Sequence, residues 1–135
     1  MKAATGFAGG IGRNGSVCGG YTGGVLALGM LYGRDVETMK CADPEERMNR
    51  SHQIEGQLTD LVKLLTDKFN AEYGSTICND IERKLFGRSF DKWNPEDRKE
   101  KDRLGGYKEK CPSVVGNAVR WIAELIMEKQ DKGRP

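Results

Sequence analysis

Apolar positions recur at helical spacing in four stretches of this chain. In the longest, Ile54, Leu58, Leu61, Val62, Leu65 and Phe69 form one stripe, the pattern of a helix that buries one face. Asp43-Pro44-Glu45-Glu46 starts it, with Asp as the cap, Pro at the first helical position and acids in the first turn. Gly74 ends it as a C-terminal glycine does, so a helix is expected over 44–73. Ile77, Ile81 and Leu85, between a Ser75 or Thr76 cap and Gly87, predict a short helix over 75–86 with Cys78 in its first turn. Val115, Ala118, Val119, Ile122, Leu125 and Ile126 predict the inward face of a last helix over 111–129, with Cys111 at its cap, Pro112 at its first position and Trp121 near the boundary. The polar tail after Lys129 is expected to fray.

The fourth stretch, Gly6–Gly33, organises the rest, because eleven of the 18 glycines lie in it. Residues 1–15 read as a glycine-rich loop, since ordering glycine costs more backbone entropy than ordering any other residue. From Ser16, a candidate cap, Cys18, Tyr21, Val25, Leu28 and Tyr32 recur at helical spacing. Gly19, Gly20, Gly23, Gly24 and Gly29 between them each cost roughly 1 kcal/mol of helix propensity. A helix over 16–32 with that composition is tolerable only where neighbours bury it, so it is placed at the centre of the bundle.

Residues 88–110 are mostly charged. Asn94-Pro95-Glu96-Asp97 starts a short exposed helix near 95–103, and Gly105-Gly106 breaks it, so the segment is expected to be a connector and a candidate flap. No strand pattern is present. The expected class is all-α: one domain, 1–135, a small bundle of about four main helices around the glycine-rich one.

Composition narrows the function. With 37% hydrophobic and 31% charged residues the chain reads as globular. A net charge of +2 does not argue for nucleic acid or an anionic membrane. No apolar run reaches the roughly 18 residues of a spanning helix, and no signal core is visible. The expected compartment is therefore the cytoplasm, where separated cysteines are more often catalytic, metal-binding or idle than bridged.

Cys18, Cys78 and Cys111 each fall in the first turn or at the cap of an expected helix. A helix amino terminus carries partial positive charge and unpaired N–H groups, which favour thiolate over thiol. The alternative is that each packs as a small apolar residue. A metal or iron–sulfur site built from Cys18, Cys78, Cys111 and Cys41 is a second alternative, although the four lack the close pairing of structural zinc sites and the spacings of cluster sites. The one histidine, His52, lies mid-helix and is expected to be exposed or satisfied. Gly10-Ile11-Gly12-Arg13-Asn14-Gly15 matches G-x-G-x-x-G, but no strand precedes it and no parallel sheet follows, so no dinucleotide site is expected. A narrower reading has loop N–H groups at Gly10 and Gly12, with Arg13, holding an anion or a thiol substrate. No cofactor is expected otherwise.

Gly6-Phe7-Ala8-Gly9-Gly10-Ile11-Gly12-Arg13, Val17-Cys18-Gly19-Gly20-Tyr21-Thr22-Gly23 and Leu28-Gly29-Met30-Leu31-Tyr32-Gly33 resemble the glycine loop and CGAxxG helix of the C-GCAxxG-C-C family, small bacterial and archaeal domains named for their cysteine pattern. Cys78 with Ile81, Leu85 and Gly87 resembles the family's second block, and Cys111-Pro112 with 114–125 its third. The resemblance implies a thiol redox role, with a redox partner that it does not name. Gly20 stands where the family usually has Ala. Members also usually carry a cysteine on a helix before the loop, and this chain starts almost at the loop. That first helix is expected either to lie outside this sequence or to be absent from a short variant, with Cys41 substituting for its thiol or incidental. The readings that follow are a thiol–disulfide or electron-handling protein using Cys18, Cys78 and Cys111, a metal-binding module, and a non-catalytic interaction domain in which a second copy fills the groove as a homo-oligomer.

Overall fold

Among the described residues of the computed structural model five α-helices follow one another: α1 Gly19–Tyr32, α2 Pro44–Tyr73, α3 Cys78–Phe86, α4 Pro95–Arg103 and α5 Cys111–Lys132. A short 3-10 helix, Lys2–Phe7, precedes them, and a π-helical turn, Gly106–Lys110, runs directly into α5. The structure describes residues 2–37 and 39–132, and the class is all-α. The expected fraying after Lys129 is not seen to Lys132, and the last three residues lie outside the described range. Among the described residues no helix is long and apolar enough to cross a membrane.

The long helix forms where its signals stand. The Asp43 carboxylate accepts from the Glu45 amide at 3.1 Å, and Gly74 takes the left-handed conformation at φ 77°. Leu61, Leu65, Phe69 and Tyr73 of α2 meet Leu28 of α1 and the inner face of α5 in one core. Phe69 is central, edge-on to both Tyr21 and Trp121 with ring centroids 5.4 Å apart in each case. Helix α1 packs against both long helices. Its Gly24 is the point of closest approach: a Cβ there would stand 2.6 Å from Ile122 Cδ1 and 3.0 Å from Leu65 Cδ2.

Three expectations are corrected. The inward face of α5 is shifted in part: Ala118, Ile122 and Leu125 are buried as expected and Ile126 packs against the core, but Val114 and Trp121 are buried as well, whereas Val115 and Val119 are 47% and 61% exposed. Two overlapping apolar rows run along α5, and the aromatic cluster at Phe69 selects the row that carries Trp121. Second, α1 starts at Gly19, not at Ser16 and Val17. Val17 instead pairs with Ile77 in an isolated antiparallel bridge, and Cys18 becomes the N-cap. Third, 88–110 is no loose flap. Phe90, Lys92 and Lys101 are buried, and the Phe90 ring meets Phe86 edge-on at 5.2 Å.

Candidate functional site

The glycine loop is built to sit on the start of α3. Gly9, Gly10, Ile11, Gly12 and Arg13 all have positive φ, between 55° and 75°. This is a short left-handed turn, which glycine tolerates and a β-branched residue such as Ile11 adopts only under constraint. The turn delivers the Ser16 carbonyl to the Cys78 amide at 2.6 Å and the Gly15 carbonyl to the Asn79 amide at 3.1 Å. It also brings Gly10 against Cys78, where a Cβ would lie 2.7 Å from the Cys78 Cβ and 2.7 Å from the Ser16 nitrogen.

One cavity of about 530 Å³ opens beside this junction, and Cys18, Cys78 and Cys111 all line it. Three residues far apart in sequence thus share one wall. All are half-buried free thiols. The Cys18 amide donates to the Thr76 carbonyl at 2.8 Å, so Cys18 is opposite Thr76 and diagonal to Cys78 across the bridge. Diagonal neighbours stand roughly 7–8 Å apart, just beyond the roughly 4.4–6.8 Å between Cα atoms in a disulfide. Cys18 interacts electrostatically with both of the other sulfurs. Cys41 lies in the α1–α2 connector, half-buried and off the cavity. His52 is exposed. Among the described residues no group of three or more His, Cys, Asp or Glu side chains is disposed to hold a metal ion.

The cavity wall also holds a group that the sequence reading missed. Glu82 on α3 is 2% exposed and receives two ammonium groups, Lys92 at 2.9 Å and Lys101 at 2.7 Å, each at most 5% exposed. Its Oε2 also accepts the Phe90 amide at 3.1 Å. Lys92 spends its other two protons on Asn79 Oδ1 at 2.7 Å and the Phe90 carbonyl at 3.2 Å, so its role is to pin the segment. Lys101 lies 4.8 Å from the Tyr107 ring centroid and also interacts with Cys111. Glu82 follows Cys78 by one helical turn, so the same-face spacing was a usable signal. The two lysines gave none, because they stand in a run of charges.

The electrostatics revise the thiolate argument. Burial pushes the Cys78 thiol up to about 11 and raises Cys18 as well; the Tyr21 and Gly20 amides only partly oppose the effect at Cys18. At Cys78 the helix N–H groups counted on from the sequence are taken by loop carbonyls. Cys111 is not at a free helix start, since its amide bonds to the Gly106 carbonyl through the π-helical turn. The amides of residues 11–16 are likewise bonded to backbone carbonyls within the loop, so they do not form an anion nest. Of the loop residues named for that role, Gly10 lines the cavity, Gly12 does not, and Arg13 does while standing 5.6 Å from the Trp93 ring centroid. Iodoacetamide labelling of native Cys78 is therefore expected to climb with pH to a midpoint of about 11, two units above the ordinary value of 9.0. Site-resolved mass spectrometry of labelling rates checks this, and a midpoint near 9 would overturn it.

Fold and site together define a class: an all-α protein that gathers three distant cysteines around one cavity. The chain belongs to the family described as "Putative redox-active protein (C_GCAxxG_C_C)", which it matches over residues 1–125. No curated protein and no solved structure matches it.

Proposed function

We propose that the cavity carries out thiol–disulfide exchange, with Cys111 and Cys18 as the reacting pair. The observation that carries this reading is the meeting of Cys18, Cys78 and Cys111 on one cavity wall beside an ammonium group. Lys101 is placed to hold a thiolate formed at Cys111. That thiolate attacks one sulfur of a substrate disulfide; the substrate S–S bond breaks, a mixed disulfide forms and the first substrate thiolate leaves. Cys18 then loses its proton and attacks the Cys111 sulfur. The Cys18–Cys111 bond forms and the second substrate thiolate leaves. Two electrons pass from protein to substrate, and the two cysteine protons end on the two released thiols. The interaction of Lys101 with Cys111, and the desolvation that raises the Cys18 thiol, support these roles.

Thiol counting with and without reductant, disulfide mapping by mass and a metal assay on one sample test the reading. Two thiols should be lost reversibly, mapping to Cys18 with Cys111 or Cys78, and Cys41 should stay free. Cys18→Ser should abolish the intramolecular bond, and Cys41→Ser should leave it. Four unreactive thiols, or metal bound at one equivalent per chain, would overturn it.

A further inference from the structure

The charge around the cavity is one-sided. Arg13, Lys92, Arg98 and Lys101 line it against a single acid, Glu82. Glu82 neutralises only one of its two buried lysines, so the triad keeps a net positive charge in a place where water screens poorly. Arg98, on the exposed side of α4, and Arg13, on the glycine loop, add two guanidinium groups on the wall. Among the described residues neither makes an ion pair, and Arg13 rests on Trp93. The remaining wall is largely apolar, with Phe7, Ile81, Leu85 and Val114. A volume of about 530 Å³ is the size of a small-molecule site.

Building on the exchange reading above, we propose that the preferred substrate is a small disulfide bearing carboxylate or other anionic end groups. The apolar wall takes the carbon arms, the sulfur atoms meet Cys111 and Cys18, and the anionic ends lie toward Arg98 and Arg13. A guanidinium suits this task because it stays charged and offers a planar fork to a carboxylate. The bond changes are those already given, with the anionic disulfide reduced to two anionic thiols and the protein oxidised by two electrons.

Three probes share a dialkyl disulfide core with two-carbon arms: dithiodipropionate, with two negative ends; hydroxyethyl disulfide, uncharged; and cystamine, with two positive ends. Reduced protein with Cys41→Ser is mixed with each, and the loss of cavity thiols is timed by mass. Each rate is divided by the rate of the same disulfide with mercaptoethanol, which removes intrinsic reactivity. At low salt dithiodipropionate should then lead hydroxyethyl disulfide by roughly ten-fold, in the range electrostatic attraction gives, with cystamine slowest. The lead should shrink as salt rises. Arg98→Gln and Arg13→Gln should each bring the ratio toward one. Equal normalised rates for all three probes would overturn the selectivity and leave the exchange reading standing. No thiol loss with any probe would overturn both.

Discussion

Replacing Glu82 by Gln should cost about 3–5 kcal/mol of folding stability, the usual effect of stranding buried charge. Against a total of roughly 5–15 kcal/mol for a domain, that is a large share. The reason lies in the geometry: Lys92 and Lys101 are each at most 5% exposed and share this single carboxylate. Burial by itself pushes the Glu82 carboxyl up, but hydrogen bonds from Lys101 and Lys92 outweigh it and hold the group below its ordinary 4.5. Burial also works against the Lys101 ammonium, and Glu82 with Cys111 outweighs it, raising Lys101 above its ordinary 10.5. The signs follow. A depressed carboxylate stabilises the fold above 4.5 and loses that contribution as pH falls through its folded value. A raised lysine stabilises the fold below 10.5 and loses that contribution as pH rises through its folded value. Between those limits both act, so Glu82→Gln should lower the stability plateau and flatten its acid edge. Urea unfolding across pH measures this. Glu82→Leu combined with Lys92→Met and Lys101→Met should regain much of the loss, because an apolar replacement removes the charge with its partners. A loss below about 1 kcal/mol in the single variant would show that water reaches the lysines and that the triad is not sealed.

Gly10→Ala should cost about 3 kcal/mol. Two effects add: roughly 1–2 kcal/mol for an alanine in the left-handed region and roughly 1–3 kcal/mol for overpacking. The overlap is with rigid neighbours, the Cys78 Cβ and the Ser16 nitrogen, both at 2.7 Å, and Gly10 has φ 75°. Relief requires the loop to lift from α3, which would break the Ser16-to-Cys78 and Gly15-to-Asn79 backbone bonds that set two of the three cysteines side by side. Gly12→Ala is the internal comparison. Its φ is 59°, but a Cβ there meets nothing nearer than the Asn14 Nδ2 at 3.7 Å, so only the conformational part, roughly 1–2 kcal/mol, should appear. Thermal or urea unfolding of the two variants separates the effects. Equal losses would mean that close approach at Cys78 contributes nothing and that the loop rests on α3 loosely.

Much of this was legible before any coordinates. Asp43-Pro44 and Gly74 fixed the ends of α2, because capping and left-handed C-termini are local chemistry read over a few residues. The stripe from Leu58 to Phe69 is buried or half-buried in the core. The excess of small residues in α1 signalled burial only in part: the helix packs against both long helices and buries Gly24 and Leu28, but a Cβ at Gly23 or Gly29 would meet open space, and Met30 and Leu31 are exposed. The three cysteines were legible as chemistry, through their positions near helix starts and their resemblance to a named pattern, although the sequence could not show that they share a cavity. The face of α5 was legible in part: Ala118, Ile122 and Leu125 are buried as expected, but Val115 and Val119 are exposed, and contact with Phe69 draws Trp121 inward instead.

The sequence by itself thus determined the helical class and the main helix ends, since these follow from spacing and short-range propensity, and it singled out three thiols as candidates. Tertiary structure decided what those thiols are. It spent the first α3 amides on loop carbonyls and ran a π-helical turn into Cys111, and it half-buried Cys18 and Cys78, where desolvation raises the thiol pKa instead of lowering it. It also drew Lys92 and Lys101 out of a solvated-looking charge run to meet Glu82. A charge in water and a charge in a core are written with the same residue, and only the packing around it sets the dielectric that gives it its function.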